Sequence, residues 1–203
     1  MTVATPAGPE AADEAPFGEA PVRPRRRVAV WVALAIGVLM ALLVGVLATR
    51  PSAESTLARS PLLGKPAPDL DSPTLSGAHL RLVDLRGRWV LVNFFNSWCI
   101  PCRQEHPELV KFAERHKATG DAQLVGVIHD DQVPDVRSYL AAEGGDWPVV
   151  DDPRGAVALD YGVRGQPETF VIDPDGYVVS RIISATTADG LDHLLASAKA
   201  RRA

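Results

Sequence analysis

The sequence predicts an α/β protein with a mixed central β-sheet flanked by helices and preceded by an N-terminal transmembrane helix. Three observations predict this architecture. β-Prone apolar runs alternate with helix-like segments from Gly64 onward, a strand–turn–strand unit and a helix end the alternation, and an uncharged apolar run occupies residues 28–48. With that run set aside, the rest of the 203 residues provides the core of one outer domain.

The N-terminal part of the chain predicts a tail, a membrane anchor and a linker. Residues 1–27 are rich in Ala and Pro and end in a cluster of arginines, which indicates a flexible cytoplasmic tail. Residues 28–48 carry no charge, and as a helix they would span about 30 Å, the thickness of a bilayer core. Residues 49–63 are typical of a linker. Because positive charge stays on the cytoplasmic side, we expect residues 64–203 to lie outside the cytoplasm.

A cleaved signal peptide is the alternative for the apolar run. Signal peptides carry an apolar stretch of about 7 to 15 residues. The run over residues 28–48 is longer, which favours an anchor that is not cleaved.

The first elements of the outer domain follow from turn signals and apolar patterns. A turn-rich stretch over residues 69–82 predicts a small hairpin. The nearly continuous apolar run over 89–95 predicts a central strand that is covered on both faces. Apolar residues at helical spacing predict a helix over 100–118, and a second β-prone run predicts a strand over 123–129.

The remaining elements extend the alternation to the C-terminus. We predict a helix over 133–142, a short strand over 148–150 and a short helix over 155–161. The turn sequence Asp-Pro-Asp-Gly lies between two β-prone runs and predicts a hairpin over 169–179. Leucines on one face predict the last helix over 187–199.

Composition excludes several classes of protein. The 21 Lys and Arg residues against 25 Asp and Glu give a net charge of −4, so the chain has no basic field for nucleic acid. Two cysteines, Cys99 and Cys102, cannot form a multi-bridge disulfide scaffold. A zinc site needs about four ligands, and the 5 histidines are scattered, so we predict no metal site.

Cys99 and Cys102 fall where the central strand turns into its helix. The unpaired N–H groups of a helix N-terminus stabilise a thiolate there, and Pro101 is compatible with the first helical turn. We therefore expect Cys99 to be an exposed nucleophile and Cys102 to resolve the mixed disulfide that Cys99 forms. The redox-active disulfide between them would need no further cofactor.

Two other uses of these cysteines are weaker. A purely structural disulfide would close so small a loop that it would constrain little of the unfolded chain. A peroxidatic cysteine would lack the Pro-x-x-x-Thr/Ser-x-x-Cys element, since the residues before Cys99 are Phe95-Asn96-Ser97-Trp98. A C-x-x-C motif between a strand and a helix favours dithiol exchange.

Two segments carry a family resemblance. Asn93–Pro107, N-F-F-N-S-W-C-I-P-C-R-Q-E-H-P, resembles the active-site segment of membrane-tethered thioredoxin-like proteins. Tyr161–Asp173 resembles the G-V-x-G-x-P-E-T-F-x-I-D signature of the DsbE/CcmG group, the thiol:disulfide interchange proteins of cytochrome c biogenesis. The resemblance covers about residues 62–200, and it implies a thioredoxin-like fold and thiol:disulfide oxidoreductase activity.

The resemblance also implies site residues around the two cysteines. Pro167 falls at the cis-proline of that fold, in a loop with Gln166 and Thr169 that receives the backbone of the partner. Trp98 matches the tryptophan before the first cysteine, for which an ordinary core aromatic is the alternative, and Pro101 completes the active-site loop.

One position departs from ordinary thioredoxin. Asn93 stands where thioredoxin carries a buried Asp that assists proton transfer to the resolving thiol, and an amide cannot accept that proton. Glu168 is the candidate substitute, acting on Cys102 through a water, with a solvated loop carboxylate as the alternative. For Glu105, one turn past Cys102, a solvated helix position is favoured over a functional one.

The resemblance further implies a reductant in the bacterial cytoplasmic (inner) membrane whose C-terminal domain faces the periplasm. It would reduce a disulfide in apocytochrome c or its chaperone, and a membrane thiol-transfer protein of the DsbD/CcdA type would supply the electrons. Carboxylates at Glu105 and Glu168 would disfavour thiolates and make the couple more reducing. Two alternatives stay open: a TlpA/ResA-like reductase for other envelope clients, such as copper-site cysteines of an oxidase, and a tethered binding module without turnover.

Overall fold

The computed structural model describes residues 26–48 and 60–202. Residues 1–25 of the predicted tail and residues 49–59 of the predicted linker lie outside this description. The chain divides into two compact units, Met1–Arg50 and Pro51–Ala203, which we describe separately.

The first unit contains helix α1, which spans Arg26–Ala48. Its side chains over residues 29–45 are exposed. Within the two described ranges of the chain, the structure contains no helix with the combined length and apolarity that crossing a membrane requires. The membrane span over residues 28–48 therefore stays a prediction.

The second unit alternates strands and helices in the predicted order. Its elements are β1 (Asp71–Pro73), β2 (His79–Arg81), a 3₁₀ turn (Leu82–Leu85), β3 (Trp89–Phe94), α2 (Ile100–Lys117), β4 (Ala122–Ile128), α3 (Val133–Glu143), β5 (Val149–Asp151), α4 (Ala156–Tyr161), β6 (Glu168–Ile172), β7 (Val178–Ile183) and α5 (Ala188–Arg202).

Five strands form a mixed central sheet in the order β5-β4-β3-β6-β7. β4 pairs in parallel with both β3 and β5, whereas β6 pairs antiparallel with β3 and β7. All six residues of β3 are buried, as its continuous apolar run predicts for a strand covered on both faces. The predicted mixed sheet flanked by helices is confirmed.

Successive side chains of β3 point to opposite faces of the sheet and enter two separate cores. Leu91 packs with buried residues of α2, α3 and α5, and we call this side the α2 face. Val92 packs with buried residues of α4 and of the chain before β3, and we call this side the α4 face. Both cysteines belong to the core on the α2 face.

The chain before β3 covers both edges of the sheet. At the β5 edge, the backbone N–H of Leu75 donates to the carbonyl of Val149 at 2.7 Å. At the β7 edge, the N–H of Val178 donates to the carbonyl of Lys65 at 2.9 Å. Such contacts protect strand edges that could otherwise pair with another chain.

Packing begins earlier than the predicted domain boundary at Gly64. Ser60 is buried, and Leu62 and Leu63 pack against the core of the α4 face. Three of the last four residues of the segment that the sequence assigns to the linker are therefore buried in, or packed against, the domain.

Candidate active site

The two cysteines form a disulfide bond at the N-terminus of α2. The chain leaves β3 at Phe94, and Cys99 is the N-cap of a helix that begins at Ile100. The Cys99 Sγ accepts a hydrogen bond from the Cys102 backbone N–H at 3.3 Å, and the two Cα atoms lie 5.2 Å apart. Pro101 lies in the first turn, where no helical N–H bond is lost.

This position favours a Cys99 thiolate once the disulfide is reduced. The unpaired N–H groups of the first turn and the positive end of the helix dipole both stabilise a negative charge on the capping sulfur. Both cysteines are buried, however, with 6% of Cys99 and 4% of Cys102 exposed. The prediction of an exposed Cys99 is thus corrected: the loop before α2 and the surrounding core cover most of this residue in the disulfide form.

Large apolar side chains flank the buried Cys99 on the surface. Trp98 is 60% exposed and Ile100 is 70% exposed. The indole Nε1–H of Trp98 donates to the carbonyl of Asp130 at 3.2 Å, so the ring has a fixed polar anchor. Trp98 is therefore not a core aromatic, and its exposed face offers an apolar contact surface beside the disulfide.

The loop before β6 faces the disulfide, and the Gln166–Pro167 peptide is cis. The Gln166 carbonyl oxygen lies 3.6 Å from the Cys99 Sγ. The Pro167 carbonyl accepts a hydrogen bond from the Ser184 N–H at 3.1 Å. Cys99 and Pro167, which are far apart in the sequence, are thus brought to one site.

Thr169 is not placed to contact a polypeptide partner. It is an interior residue of β6, and it is 1% exposed. Its Oγ1 accepts a hydrogen bond from the Asn93 Nδ2 at 2.9 Å. The expected place of Thr169 in the partner-binding loop is therefore corrected: it is a buried residue of the central sheet.

Glu168 does not face the cysteines. Its Oε2 accepts hydrogen bonds from Arg181 Nη2 at 2.6 Å and Nε at 2.9 Å, and its Oε1 accepts one from the Arg164 N–H at 3.0 Å. Because side chains alternate along a strand, Glu168 points with Phe170 to the α4 face, opposite to Thr169.

This placement corrects the proton-transfer role that the sequence suggests for Glu168. The carboxylate lies across the sheet from the cysteines, and its Oε2 forms a buried ion pair with Arg181. It is also not the solvated loop residue of the alternative interpretation, since it is 1% exposed.

Glu105 is the carboxyl group on the cysteine side of the sheet. It is 1% exposed, which corrects the interpretation of a solvated helix residue. Burial raises its pKa to about 7 from an ordinary value of 4.5, while hydrogen bonds from the Thr186 N–H and the Asn93 amide act to lower it. These donors are neutral and lie 3.3 and 3.4 Å from the carboxylate.

The arrangement gives Glu105 the properties of a proton-exchanging group. It follows Cys102 by three positions on α2, and residues at this spacing share one face of a helix. A carboxyl group with a pKa close to 7 can release or accept a proton near neutral pH. Its spacing from Cys102, together with the amide at Asn93, is the sequence signal that identifies it.

The described residues include no group of three or more His, Cys, Asp or Glu side chains placed to hold a metal ion. The chemistry that the site itself offers is thiol–disulfide exchange at Cys99 and Cys102. The exposed ring of Trp98 precedes the reactive Cys99 in the chain, and the Gln166 carbonyl of the Gln166–Pro167 loop lies 3.6 Å from the Cys99 Sγ.

Comparison with known proteins points to the same chemistry. The model of the AhpC/TSA family matches residues 63–181. A thiol-disulfide oxidoreductase ResA from Bacillus thuringiensis (strain Al Hakam) is 32% identical over 133 residues, which cover 66% of this chain and 76% of that protein. A thiol:disulfide interchange protein DsbE from Allochromatium vinosum is 37% identical over 122 residues, which cover 59% of this chain and 65% of that protein.

A solved structure shares the fold. A crystal structure of a DsbE-type thiol:disulfide interchange protein from Chlorobium tepidum superposes with a TM-score of 0.60 and 33% sequence identity. The match covers 66% of this chain and 94% of that chain. The thioredoxin-like α/β fold that the resemblance implies is therefore confirmed.

Proposed function

This chain belongs to the AhpC/TSA family and is a thioredoxin-like thiol:disulfide oxidoreductase, and we propose that it is a membrane-tethered, extracytoplasmic reductant of apocytochrome c or its chaperone. The observation that carries this proposal is the Cys99–Cys102 disulfide, which caps a helix and faces the Gln166–Pro167 loop.

The reaction proceeds through a mixed disulfide. The Cys99 thiolate attacks one sulfur of the partner's disulfide, a bond forms between the two sulfurs, and the other partner sulfur leaves as a thiolate. The Cys102 thiolate then attacks Cys99, which restores the intramolecular disulfide and releases the second partner sulfur. The partner gains two electrons and two protons, and the enzyme loses them.

Glu105 serves the second step in this mechanism. Cys102 must lose its proton before it attacks, and Glu105 lies on the same helix face in surroundings that bring its pKa close to 7. It can therefore take the proton at neutral pH and return it when the disulfide is reduced again. Asn93 holds the carboxylate but cannot take the proton itself.

The charge near the thiols favours the role of a reductant. A negative charge at Glu105 disfavours a nearby thiolate, and a less stable reduced form makes a better reductant. Glu168 contributes little to this effect because Arg181 neutralises it. We expect a redox titration to give a midpoint well below the roughly −120 mV of a DsbA-type oxidant.

A reductant of this kind needs a membrane anchor and a source of electrons. The uncharged run over residues 28–48 and the arginines before it support a single membrane anchor in the cytoplasmic (inner) membrane, with residues 64–203 on the periplasmic side. A reductant outside the cytoplasm must be reduced again after each turnover. A membrane thiol-transfer protein of the DsbD/CcdA type would supply those electrons.

The similar proteins carry the name ResA as well as DsbE, which supports a second class of client. In that case the same dithiol would reduce other envelope proteins, such as oxidase subunits with copper-site cysteines. The chemistry at Cys99 is identical in the two cases, so that the client alone distinguishes them.

Trapping of the mixed disulfide tests the proposal. The Cys102→Ser variant, expressed as the full chain in its native host, lacks the resolving thiol and should accumulate a disulfide-linked adduct through Cys99. A c-type cytochrome precursor or its chaperone in the adduct supports the proposal, whereas a copper-assembly protein supports the second client class. The Cys99→Ser/Cys102→Ser double variant is the control, and a Cys102→Ser variant that yields no more adduct than this control contradicts both.

A further inference from the structure

The segment after β4 lies beside both halves of the active site. β4 ends at Ile128, and His129 follows it directly. β4 runs parallel to β3, and the carboxyl ends of parallel strands lie at the same edge of a sheet. Residues 129–131 therefore reach the end of β3, where the chain continues into the dithiol.

On the dithiol side, two residues of this segment hold the loop before α2. The carboxylate of Asp131 accepts hydrogen bonds from the Ser97 N–H at 2.6 Å and from the Ser97 Oγ at 3.2 Å. The carbonyl of Asp130 accepts the indole N–H of Trp98 at 3.2 Å. Asp130 has a φ of 59°, in the left-handed region that few non-glycine residues adopt. These contacts fix the two residues that precede Cys99.

On the opposite side, His129 holds the loop that faces Cys99. The Nε2 of Gln166 lies 2.5 Å from the Nε2 of His129. A side-chain amide nitrogen donates, so the ring nitrogen accepts and the contact uses the neutral imidazole. The backbone of the same loop is held separately, by the hydrogen bond from Ser184 to Pro167.

Residues 129–131 therefore contact both the loop before α2 and the Gln166–Pro167 loop. Asp130 and Asp131 contact the loop that leads to Cys99, and His129 contacts the loop that carries Gln166. The Gln166 carbonyl is 3.6 Å from the Cys99 Sγ, so a small displacement of Gln166 changes the space in front of the sulfur.

We infer that His129 is a positioning residue for polypeptide substrates: through the Gln166 side chain it sets the gap between Cys99 and the Gln166–Pro167 loop. This inference rests on the proposed function and names a determinant of substrate binding within that site. His129 does not touch the reacting sulfurs, and the exchange of bonds and electrons at Cys99 and Cys102 stays as described above.

Large and small disulfides should respond differently to the loss of the His129 contact. A peptide must fit between Cys99 and the Gln166–Pro167 loop, so loss of the His129 contact should weaken its binding. The loss of one hydrogen bond corresponds to a change of about three- to tenfold in an equilibrium constant. A small disulfide can reach Cys99 without the loop and should react at an unchanged rate.

The test measures single-turnover oxidation of the reduced full chain in detergent, followed by tryptophan fluorescence. One probe is a synthetic peptide with an intramolecular Cys-Xaa-Xaa-Cys-His disulfide, and the other is hydroxyethyl disulfide. The variants are His129→Ala, His129→Gln, whose amide oxygen can again accept from Gln166, and Gln166→Ala. The control is His193→Ala, because His193 is exposed on α5.

We expect His129→Ala to raise the half-saturating peptide concentration about three- to tenfold, with the maximal rate, the redox potential and the hydroxyethyl disulfide rate unchanged. His129→Gln should recover most of the loss. Adding Gln166→Ala to His129→Ala should cause no further loss, because the two residues act as a pair.

Two results would overturn the inference while leaving the proposed function intact. One is a peptide half-saturation in His129→Ala equal to that of the unsubstituted protein. The other is an equal slowing of both probes or a changed redox potential, which would place the effect of His129 on the dithiol itself. Failure of the proposed function has a different signature, since the unsubstituted protein would then react with hydroxyethyl disulfide but not with the peptide.

Discussion

The buried carboxyl of Glu105 should make the protein less stable as the pH rises, and Glu105→Gln should remove this loss. Burial raises the pKa of Glu105 to about 7 in the folded protein, against 4.5 for an ordinary glutamate. Between these two values the unfolded chain has released the proton and the folded protein still holds it. Since the unfolded state then binds fewer protons, the free energy of unfolding falls with rising pH.

The size of the effect follows from the shift in pKa. A shift of one pKa unit corresponds to about 1.4 kcal/mol, so a rise from 4.5 to about 7 lowers stability by about 3 kcal/mol at pH 8 relative to pH 4. Glutamine has the same shape and does not titrate. Any constant cost of the substitution, such as an altered contact with Asn93, cancels when the two pH values are compared.

Chemical denaturation of the oxidised protein at pH 4 and pH 8 measures this difference. The gap in unfolding free energy between Glu105→Gln and the unsubstituted protein should shift by about 3 kcal/mol in favour of the variant at the higher pH. Glu114→Gln, an exposed position on the same helix, is the matched control and should show no such shift. A gap that stays constant from pH 4 to pH 8 would falsify the argument that Glu105 is buried and uncompensated.

The same variant tests the catalytic proposal for Glu105. A glutamine cannot take the proton from Cys102, so release of a partner from the mixed disulfide should slow by roughly a hundredfold, the low end of the range for general-base catalysis. The inflection near pH 7 in the rate of this step should also disappear. If the rate and its pH profile are unchanged while the stability shift is seen, Glu105 is buried but has no part in proton transfer.

Three further substitutions test other parts of the structure. Arg181→Met leaves Glu168 buried without its partner and should lower the unfolding free energy by about 3–5 kcal/mol in denaturant titrations. Adding Glu168→Gln should recover most of this loss. A loss below about 1 kcal/mol for Arg181→Met contradicts the buried pair. Gly126→Ala places a Cβ 2.9 Å from a buried aromatic ring and should lower the unfolding free energy by about 1–3 kcal/mol. Gly165→Ala is the control and should change the unfolding free energy far less, because a Cβ at residue 165 meets open space. Equal losses in the two variants argue against the tight contact at Gly126. Trp98→Ala should leave the melting temperature nearly unchanged, because Trp98 is 60% exposed. The same variant should reduce peptide disulfides more slowly. An unchanged rate with peptides would show that Trp98 is not part of the binding surface.

The order of strands and helices could be predicted because it depends on local patterns. The run from Trp89 to Phe94 has too many apolar residues for a strand with one exposed face, and the sheet covers it on both. The turn over residues 173–176 joins β6 to β7 as its Asp-Pro-Asp-Gly sequence predicts. The position of the cysteines at a strand–helix junction follows from the same local signals.

The roles of the two glutamates could not be predicted in this way. Whether Glu105 is solvated depends on the segment before α5, whose Thr186 lies far along the chain and covers the carboxylate. The face on which Glu168 lies depends on the register of β6, and a difference of one residue exchanges the two faces of the sheet. Local sequence contains neither the covering segment nor the register.

The contrast between these two glutamates explains how one domain keeps a reactive acid in its interior. Both side chains are 1% exposed, and each lies against the central sheet. Glu168 has a guanidinium partner, so its charge is compensated and the pair is a structural contact of the α4 face. Glu105 has neutral donors, which hold the carboxyl group in place without fixing its charge. Proton exchange requires that both charge states be accessible, and a cation beside Glu105 would stabilise one of them. Because no cation compensates Glu105 among its hydrogen-bond partners, its charge lowers stability at high pH, and the same lack of compensation suits this residue to the proton transfer that we propose.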